Sequence, residues 1–323
     1  MNDSPVERDE QATLGERIRD QLEGVVLGQE AVVEQMVITL LAGGHALLEG
    51  PPGTAKTLAI RSLALALDVE FRRVQFTPDL MPTDLTGVNI YDERTRDFSF
   101  REGPVFTDLL LADEINRAPA KTQAALLEAM QEAQVTTDGD TRPLPSIFTV
   151  FASQNPIEYE GTFPLPEAQL DRFLLKIDVG YPLPAAEREI LDRYAQGFRA
   201  DRVATYPVAQ VTDRVQLGAL REEVRKTHAE PAILDYVTAI VRATREEPTF
   251  VLGASPRASV ALYLAAQGRA VLHGRDFVTP DDVKQLATPV LRHRVLLTPD
   301  AAVEGRTADE RIASILDRVE SPS

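Results

Sequence analysis

The sequence predicts an α/β fold, in which a mostly parallel five-stranded αβα sheet domain with two hairpin insertions precedes a smaller all-α lid domain. Short apolar runs alternate with helical stretches from residue 25 to residue 179. A Gly/Pro-rich turn joins the first run to a helix, and only helical patterns follow the prolines of Tyr181–Pro184. The expected domains are a loose acidic tail at 1–20, the sheet domain at 21–184 and the helical domain at 185–323.

Five apolar runs are the expected strands of the sheet. Helices or long excursions separate them, and strands separated in this way pair in parallel. The runs are His45–Leu48, Phe71–Phe76, Val105–Ala112, Ile147–Ala152 and Phe173–Val179.

The segments between these strands predict two helices and two hairpins. One helix covers Thr54–Leu67, and a second covers Lys121–Glu132, behind a proline that suits a helix start. Apolar residues alternate on both sides of a polar turn within 86–103, which predicts a hairpin. Residues 135–150 predict another, with Asp138-Gly139 as its turn. A minimal nucleotide-binding sheet has neither hairpin, so both are expected to be insertions.

The second half of the chain carries clear helix-start signals. Thr279 precedes a proline and two aspartates, which predicts an N-cap and a capping carboxylate. Ser255 and Pro256 predict a second start, which places Arg257 in the first helical turn. The expected helices are Glu187–Phe198, Val211–His228, Ala232–Thr244, Pro256–Leu272 and Pro280–Leu291.

Composition excludes several classes of protein. Of the 323 residues, 44% are hydrophobic and 26% charged, which is ordinary globular composition. No apolar run reaches the roughly 18 residues that cross a bilayer, and the polar N-terminus does not resemble a secretory signal. The absence of cysteine excludes disulfides and thiol catalysis. We therefore expect a cytoplasmic protein without membrane insertion, and the net charge of −16 disfavours nucleic acid as a partner.

A phosphate-binding loop follows the first strand. Its residues are Gly50, Pro51, Pro52, Gly53, Thr54, Ala55, Lys56 and Thr57, and a helix begins directly after them. Small residues let backbone N–H groups surround a polyphosphate at a helix N-terminus. Lys56 can then supply a positive charge to the β- and γ-phosphates, and Thr57 can supply a hydroxyl ligand to Mg²⁺. Ala55 stands where the general P-loop pattern has a second glycine.

Other polar residues stand beside later strands. Asp113 and Glu114 end a buried run, where one acid can hold the metal and the other activate water. Asn155 ends the next run, where its amide can bond the attacking water and the γ-phosphate. Arg172 either bridges locally to its neighbour Asp171 or projects toward another subunit's γ-phosphate.

Two lid residues complete the candidates. Arg257 puts a cation in the first turn of a helix, where a bound anion such as phosphate would favour it. His293, between two arginines, is expected at a surface or interface.

These motifs resemble the MoxR branch of the AAA+ ATPases, within the helix-2-insert clade of P-loop NTPases. The resemblance covers residues 20–298, and the family's own loop usually ends Ala-Lys-Thr. The matching segments are Gly50–Thr57, Leu111–Ala118, Ala152–Pro156, Gly161–Pro166, Leu165–Phe173, Gly253–Arg257 and Pro289–Arg294.

The resemblance implies an ATPase that assembles into a ring, commonly hexameric, with ATP and Mg²⁺ at the subunit interfaces. By position, Lys56 and Thr57 belong to Walker A, and Asp113 and Glu114 to Walker B. Asn155 is sensor 1, Arg172 the arginine finger and Arg257 sensor 2, acting in cis or in trans. Gly28 and Gln29 resemble the segment that lines the adenine pocket. Family members are thought to remodel protein clients, often beside proteins with von Willebrand factor A domains.

Three functions are compatible with these residues. The first is Mg-ATP-driven, chaperone-like remodelling or maturation of protein clients. The second is a DNA-translocating helicase or loader on the same core, which would need a basic channel. The third is an ATP-gated interaction protein with little turnover.

Overall fold

The computed structural model describes residues 13–94, 96–156, 161–202 and 205–322. Its strands are, in chain order, β1 (Ala46–Glu49), β2 (Phe71–Gln75), β3 (Gly87–Asp92), β4 (Asp97–Glu102), β5 (Leu109–Asp113), β6 (Gln134–Thr137), β7 (Asp140–Pro143), β8 (Thr149–Gln154), β9 (Leu175–Asp178), β10 (Phe250–Leu252) and β11 (Leu296–Leu297).

Its helices alternate with these strands and then dominate the second half. They are, in chain order, α1 (Leu14–Glu23), α2 (Glu30–Leu41), α3 (Lys56–Leu67), α4 (Pro82–Thr86), α5 (Ala120–Glu132), α6 (Glu167–Leu170), α7 (Pro184–Ala195), α8 (Arg214–Lys226), α9 (Pro231–Glu246), α10 (Pro256–Leu272), α11 (Pro280–Leu291), α12 (Pro299–Val303) and α13 (Ala308–Arg318).

The predicted parallel sheet is confirmed. Its strand order is β2–β5–β8–β1–β9, and every pair within it is parallel. The inner strand β5 is buried along its apolar length, as expected for a parallel strand covered on both faces. Because all five strands run in one direction, their carboxyl ends meet at one edge, where α/β sheets bind ligands.

The strand predicted to start at Val105 begins only at Leu109. Thr107 and Asp108, two buried polar residues before β5, bond the main chain just before β2 instead of extending the strand pairing. The Thr107 hydroxyl donates to the Glu70 carbonyl at 3.0 Å, and the Asp108 carboxylate accepts from the Glu70 amide at 3.0 Å. Side chains that bond a neighbouring backbone in this way replace strand pairing.

The N-terminal tail was predicted to extend to residue 20, and this is wrong for its second half. Thr13 accepts from the Glu16 amide at 3.1 Å, and the Glu16 carboxylate accepts from the Thr13 amide at 2.8 Å. This reciprocal pair is a capping box, and it starts α1 at Leu14. Residues 1–12, the remainder of the predicted tail, lie outside the described residues.

Both predicted hairpins are present, as β3–β4 and β6–β7. They contact each other, since the Asn89 amide donates to the Asp138 carboxylate at 2.7 Å and the Arg142 guanidinium lies 3.9 Å from the Phe100 ring centroid. Phe100 also packs against the sheet domain. The side chains of Tyr91 and Phe98, by contrast, are exposed.

Among the described residues after Pro184, the strands are β10 and β11, which form a two-stranded antiparallel sheet that the helical pattern did not predict. The helix starts at Pro256 and Pro280 are confirmed, and Thr279 forms the predicted capping box. Helices α12 and α13 were not predicted from the sequence. A Thr307 cap followed by Glu310 was the signal for α13. Among the described residues, no helix is both long and apolar enough to cross a membrane.

Candidate active site

The loop between β1 and α3 has the backbone shape of a phosphate cradle. A Cβ on Gly50 would lie 2.1 Å from the Val179 carbonyl oxygen, so this position admits no side chain. Gly53 has φ +83°, and space is open where its Cβ would lie. Ala55 adopts the left-handed conformation with φ 62° and ψ 15°. Alanine therefore takes at some cost the conformation for which glycine is usual.

The loop residues, the two acids and Asn155 share one cleft of about 420 Å³ at the carboxyl edge of the sheet. The loop, α3, β2, β5 and β8 all contribute to it. Its lining includes Gly53, Thr54, Ala55, Lys56, Thr57, Asp113, Glu114 and Asn155. A wider groove of about 960 Å³ beside α1, α8 and α10 contains none of the predicted residues.

Lys56 is the first residue of α3, and its ammonium group bends back over the loop. Nζ donates to the Gly50 carbonyl at 2.6 Å and lies 3.3 Å from that of Pro51. Burial lowers the pKa of Lys56, while the carboxylates of Asp113, Glu114 and Glu49 oppose this shift. A cation so placed at the cleft wall can bind the charge of a polyphosphate.

Asp113 ends β5, and its carboxylate is held on two sides. Oδ1 accepts from the Ser153 hydroxyl at 2.5 Å, and Oδ2 accepts from the Arg73 guanidinium at 2.7 Å. The Ser153 hydroxyl also accepts from the Glu114 amide at 2.9 Å. Strands β2, β5 and β8 therefore fix the two acidic residues together.

Glu114 occupies the left-handed region with φ 56°, a costly conformation for a residue with a side chain. Its Oε2 accepts from the Gln75 amide at 2.8 Å and pairs with Arg117 Nε at 2.8 Å. Two neighbouring groups therefore fix the direction of this carboxylate. Asn155 is buried at the same cleft, one residue after the end of β8.

A second pocket of about 200 Å³ adjoins the first and shares Gly53, Thr54 and Ala55 with it. It is mostly apolar, and residues from the start of the helical half close it. Its lining is Val25, Leu27, Gln29, Gly53, Thr54, Ala55, Leu58, Pro182, Ile190, Arg193, Tyr194, Phe198 and Ala200.

Of the two residues predicted at an adenine pocket, one lines the apolar pocket and the other lies beside it. Gln29 lines the apolar pocket, and its amide donates to the Gly180 carbonyl at 2.7 Å. Gly28 has φ +68°, and a Cβ there would lie 2.6 Å from Cβ of Ala186. The glycine therefore lets the segment before α2 approach α7 closely, although it does not itself line the pocket.

Arg172 and Arg257 lie away from this cleft, and neither lines it within the described part of the chain. Arg257 is in the first turn of α10, with NH1 3.7 Å from Oδ2 of Asp171. The anion beside this helix start is therefore the Asp171 carboxylate. The Asp171 carboxylate pairs with Arg294 and Arg257, and no ion pair joins it to Arg172. Of the two alternatives for Arg172, the local bridge to Asp171 is therefore not formed.

His293 was expected at a surface or interface, but the structure places it in the interior. It is buried, and its Nε2 lies 3.1 Å from the Phe173 carbonyl oxygen, which it bonds as a donor. Burial and the neighbouring Arg294 hold the pKa of His293 well below its usual value.

Four residues that hold the two acids were not predicted from the sequence, namely Arg73, Gln75, Arg117 and Ser153. Gln75 ends β2, and β2 pairs directly with β5 in the sheet. Its place at the carboxyl edge was a usable signal, because polar strand ends there face one cleft. Arg73 and Ser153 stand inside strands, and no local pattern distinguishes them from ordinary strand residues.

The residues present fit Mg-ATP. The loop offers a helix N-terminus without a side-chain cap and a lysine for phosphate, and the apolar pocket beside it suits a base. The Thr57 hydroxyl and the Asp113 carboxylate are oxygen ligands of the kind that Mg²⁺ prefers. In the described residues, no three acidic or histidine side chains gather as a metal cage.

Comparisons with known proteins agree with this geometry. Residues 45–175 match the ATPase family associated with various cellular activities (AAA), and residues 242–315 match the AAA lid domain. The chain is 46% identical over 317 residues to Chaperone MoxR1 of Mycobacterium tuberculosis, which covers 95% of this chain and 82% of that protein. It is 33% identical over 302 residues to Protein MoxR of Methylorubrum extorquens, with 88% of each covered.

A solved structure has the same fold over nearly the whole length. The crystal structure of a Cytophaga hutchinsonii protein superposes with a TM-score of 0.87 at 39% identity, covering 98% of this chain and 99% of that one. The α/β P-loop fold and the helical lid are thus those of an ATPase. The chain belongs to the MoxR family of AAA+ ATPases.

Proposed function

We propose that this ATPase hydrolyses Mg-ATP at the interfaces between subunits of a ring, and that hydrolysis drives chaperone-like remodelling or maturation of protein clients. The observation that carries the proposal is the division of the candidate residues between two places. Lys56, Thr57, Asp113, Glu114 and Asn155 share one cleft, while Arg172 and Arg257 lie outside it.

Each residue of the cleft has a role that its position supports. Lys56 binds the β- and γ-phosphates, and the loop amides bind the phosphate oxygens. Thr57 and Asp113 would hold Mg²⁺, which when bound would neutralise phosphate charge. Glu114 orients the attacking water and accepts its proton, and Asn155 bonds that water or the γ-phosphate. Gln75 and Arg117 fix the orientation of the Glu114 carboxylate.

The two arginines outside the cleft suit a neighbouring subunit. Arg257 is half-exposed and stands beside Asp171, the residue before Arg172. Both cations therefore belong to one region of the surface, and we propose that both act in trans on the neighbour's nucleotide. A cation there stabilises charge that grows on the transferring phosphoryl group.

The β3–β4 hairpin is the surface that supports a protein client. The β3–β4 hairpin carries exposed apolar side chains at Val88, Ile90, Tyr91 and Phe98. Exposed apolar groups clustered on a protruding hairpin favour a protein client over nucleic acid. A hexameric ring and a partner with a von Willebrand factor A domain remain part of this proposal, in line with the MoxR relationship.

The test is the steady-state ATPase rate of Glu114→Gln, with ATP affinity measured by calorimetry. We expect kcat to fall about 100-fold or more while ATP binding is kept, because only the base is removed. Glu246→Gln, an exposed glutamate on α9, is the matched control and should behave like the wild type. Undiminished turnover in Glu114→Gln, or a rate per chain that is unchanged on dilution to monomers, would contradict the proposal.

A further inference from the structure

The carboxylate of Asp171 is shared by two arginines of the lid that differ sharply in exposure. Oδ1 accepts from Arg294 Nε at 2.7 Å, and Oδ2 lies 3.7 Å from Arg257 NH1. The side chain of Arg294 is 3% exposed, whereas that of Arg257 is 55% exposed. Asp171 thus has one fixed partner and one loosely held partner.

Arg294 also holds the main chain on both sides of Arg172. Its NH2 donates to the carbonyl oxygens of Asp171 at 3.1 Å and Phe173 at 2.6 Å, and its NH1 donates to that of Leu174 at 3.1 Å. His293 adds a bond to the Phe173 carbonyl at 3.1 Å. The segment that carries Arg172 is therefore fastened to the end of α11, a lid element.

This arrangement depends on the charge of Asp171. A buried guanidinium without a carboxylate is strongly destabilising, and Asp171 is the carboxylate that pairs with Arg294. The contact with Arg257 is longer and solvent-exposed, so it contributes little stability and can be exchanged for a phosphate. Asp171 can thus stay with Arg294 while Arg257 engages another anion.

We propose that Asp171 is a positioning residue for ATP hydrolysis at the neighbouring subunit's site, because it fastens Arg172 to the lid through Arg294 and orients Arg257 beside it. The inference rests on the proposed function, in which both arginines act in trans. Turnover in one subunit then depends on the lid of its neighbour, because movement of α11 carries the segment at 171–174 with it.

The test is Asp171→Asn, which keeps the shape of the side chain and removes its charge. We expect kcat to fall about tenfold or more, with ATP affinity at the variant's own cleft changed less than about twofold. Asp309→Asn is the matched control, because Asp309 pairs at 2.6 Å with Arg292, beside His293, without touching segment 171–174. It should turn over at the wild-type rate.

Mixed oligomers separate positioning in trans from local damage. Lys56→Ala subunits lack the phosphate lysine but supply an intact Asp171 and Arg172. Mixing them with Asp171→Asn subunits should raise the rate well above the sum of the two separate variants. A wild-type kcat for Asp171→Asn would overturn the inference. So would a failure of this mixture to recover activity when the parallel mixture of Arg172→Ala with Lys56→Ala does recover it.

The same design distinguishes failure of the inference from failure of the proposed function. If Arg172→Ala alone keeps full turnover, the proposed function fails. If Asp171→Asn does not fold, judged by its melting transition, the double variant Asp171→Asn/Arg294→Met removes both charges together and is expected to fold. This double variant should show the same loss of kcat and the same recovery in the mixture, and full turnover in it would overturn the inference.

Discussion

The amide of Gln75 donates a 2.8 Å hydrogen bond to the carboxylate of Glu114, so the end of β2 holds the candidate base at the end of β5. Gln75→Ala removes this bond and leaves Arg117 to hold the carboxylate alone. We expect kcat to fall about tenfold with KM for ATP nearly unchanged, since the bond orients the base without touching the nucleotide. Steady-state kinetics measure both.

Gln131→Ala is the control for this change, because Gln131 is an exposed glutamine on α5 far from the acids. An equal fall of kcat in both variants, or a change confined to KM in Gln75→Ala, would show that Gln75 does not act through Glu114.

Ala55 has φ 62°, so its replacement tests the conformation of the phosphate loop. Ala55→Val puts a β-branched side chain in the left-handed region and should lower the free energy of unfolding by about 1–3 kcal/mol and weaken ATP binding. Ala55→Gly fits this conformation and should keep ATP binding. Calorimetry and thermal melting check both variants.

Ala239→Val, on the exposed middle of α9, is the matched control and should cost only tenths of a kcal/mol. If Ala55→Val binds ATP as the wild type does, the left-handed turn at Ala55 is not required for the site.

His45 gives the stability of the fold a predictable pH dependence. The ring is partly buried, its Nδ1 accepts from the Val150 amide at 2.9 Å, and its Nε2 donates to the Met130 carbonyl at 3.2 Å. Burial lowers the pKa of His45 to about 4, from 6.5. Between these two values the unfolded chain binds the proton and the folded chain does not, so stability falls as pH falls through this window.

His45→Gln keeps one donor and one acceptor and does not titrate. Between about pH 7.5 and pH 4.5 the wild type should lose roughly 2–3 kcal/mol more unfolding free energy than this variant, as measured by urea titration. His228→Gln, at an exposed histidine, should follow the wild type. Parallel pH profiles for the wild type and His45→Gln would contradict the assignment.

The sequence predicts the phosphate loop and the sheet well because both depend on local patterns. The loop at 50–57 follows an apolar strand and precedes a helix, and the structure has all three in that order. The helix starts at Pro256 and Pro280 carry their signal in two or three residues. Thr307 and Glu310 form the same kind of local signal at the start of α13, but this helix was not predicted because its apolar periodicity is short.

The residues around the site depend instead on contacts between distant parts of the chain. Arg294 reaches Asp171 across more than one hundred residues, and its own neighbours in sequence suggest only a basic surface. Arg73 pairs with Asp113 only because β2 and β5 are adjacent in the sheet. No local sequence pattern indicates which strands are neighbours in the sheet. The pairing of Arg73 with Asp113 and of Arg294 with Asp171 is therefore visible only in the folded chain.

The proposed function requires a catalytic site assembled from two chains, and a mixture of two inactive variants tests this directly. Lys56→Ala subunits keep Arg172 but lose the phosphate lysine, and Arg172→Ala subunits have the opposite defect. In an equal mixture, about a quarter of the interfaces of a head-to-tail ring would join an intact cleft to an intact Arg172. We predict an ATPase rate several times the sum of the separate variants, and a mixture no more active than that sum would contradict the account.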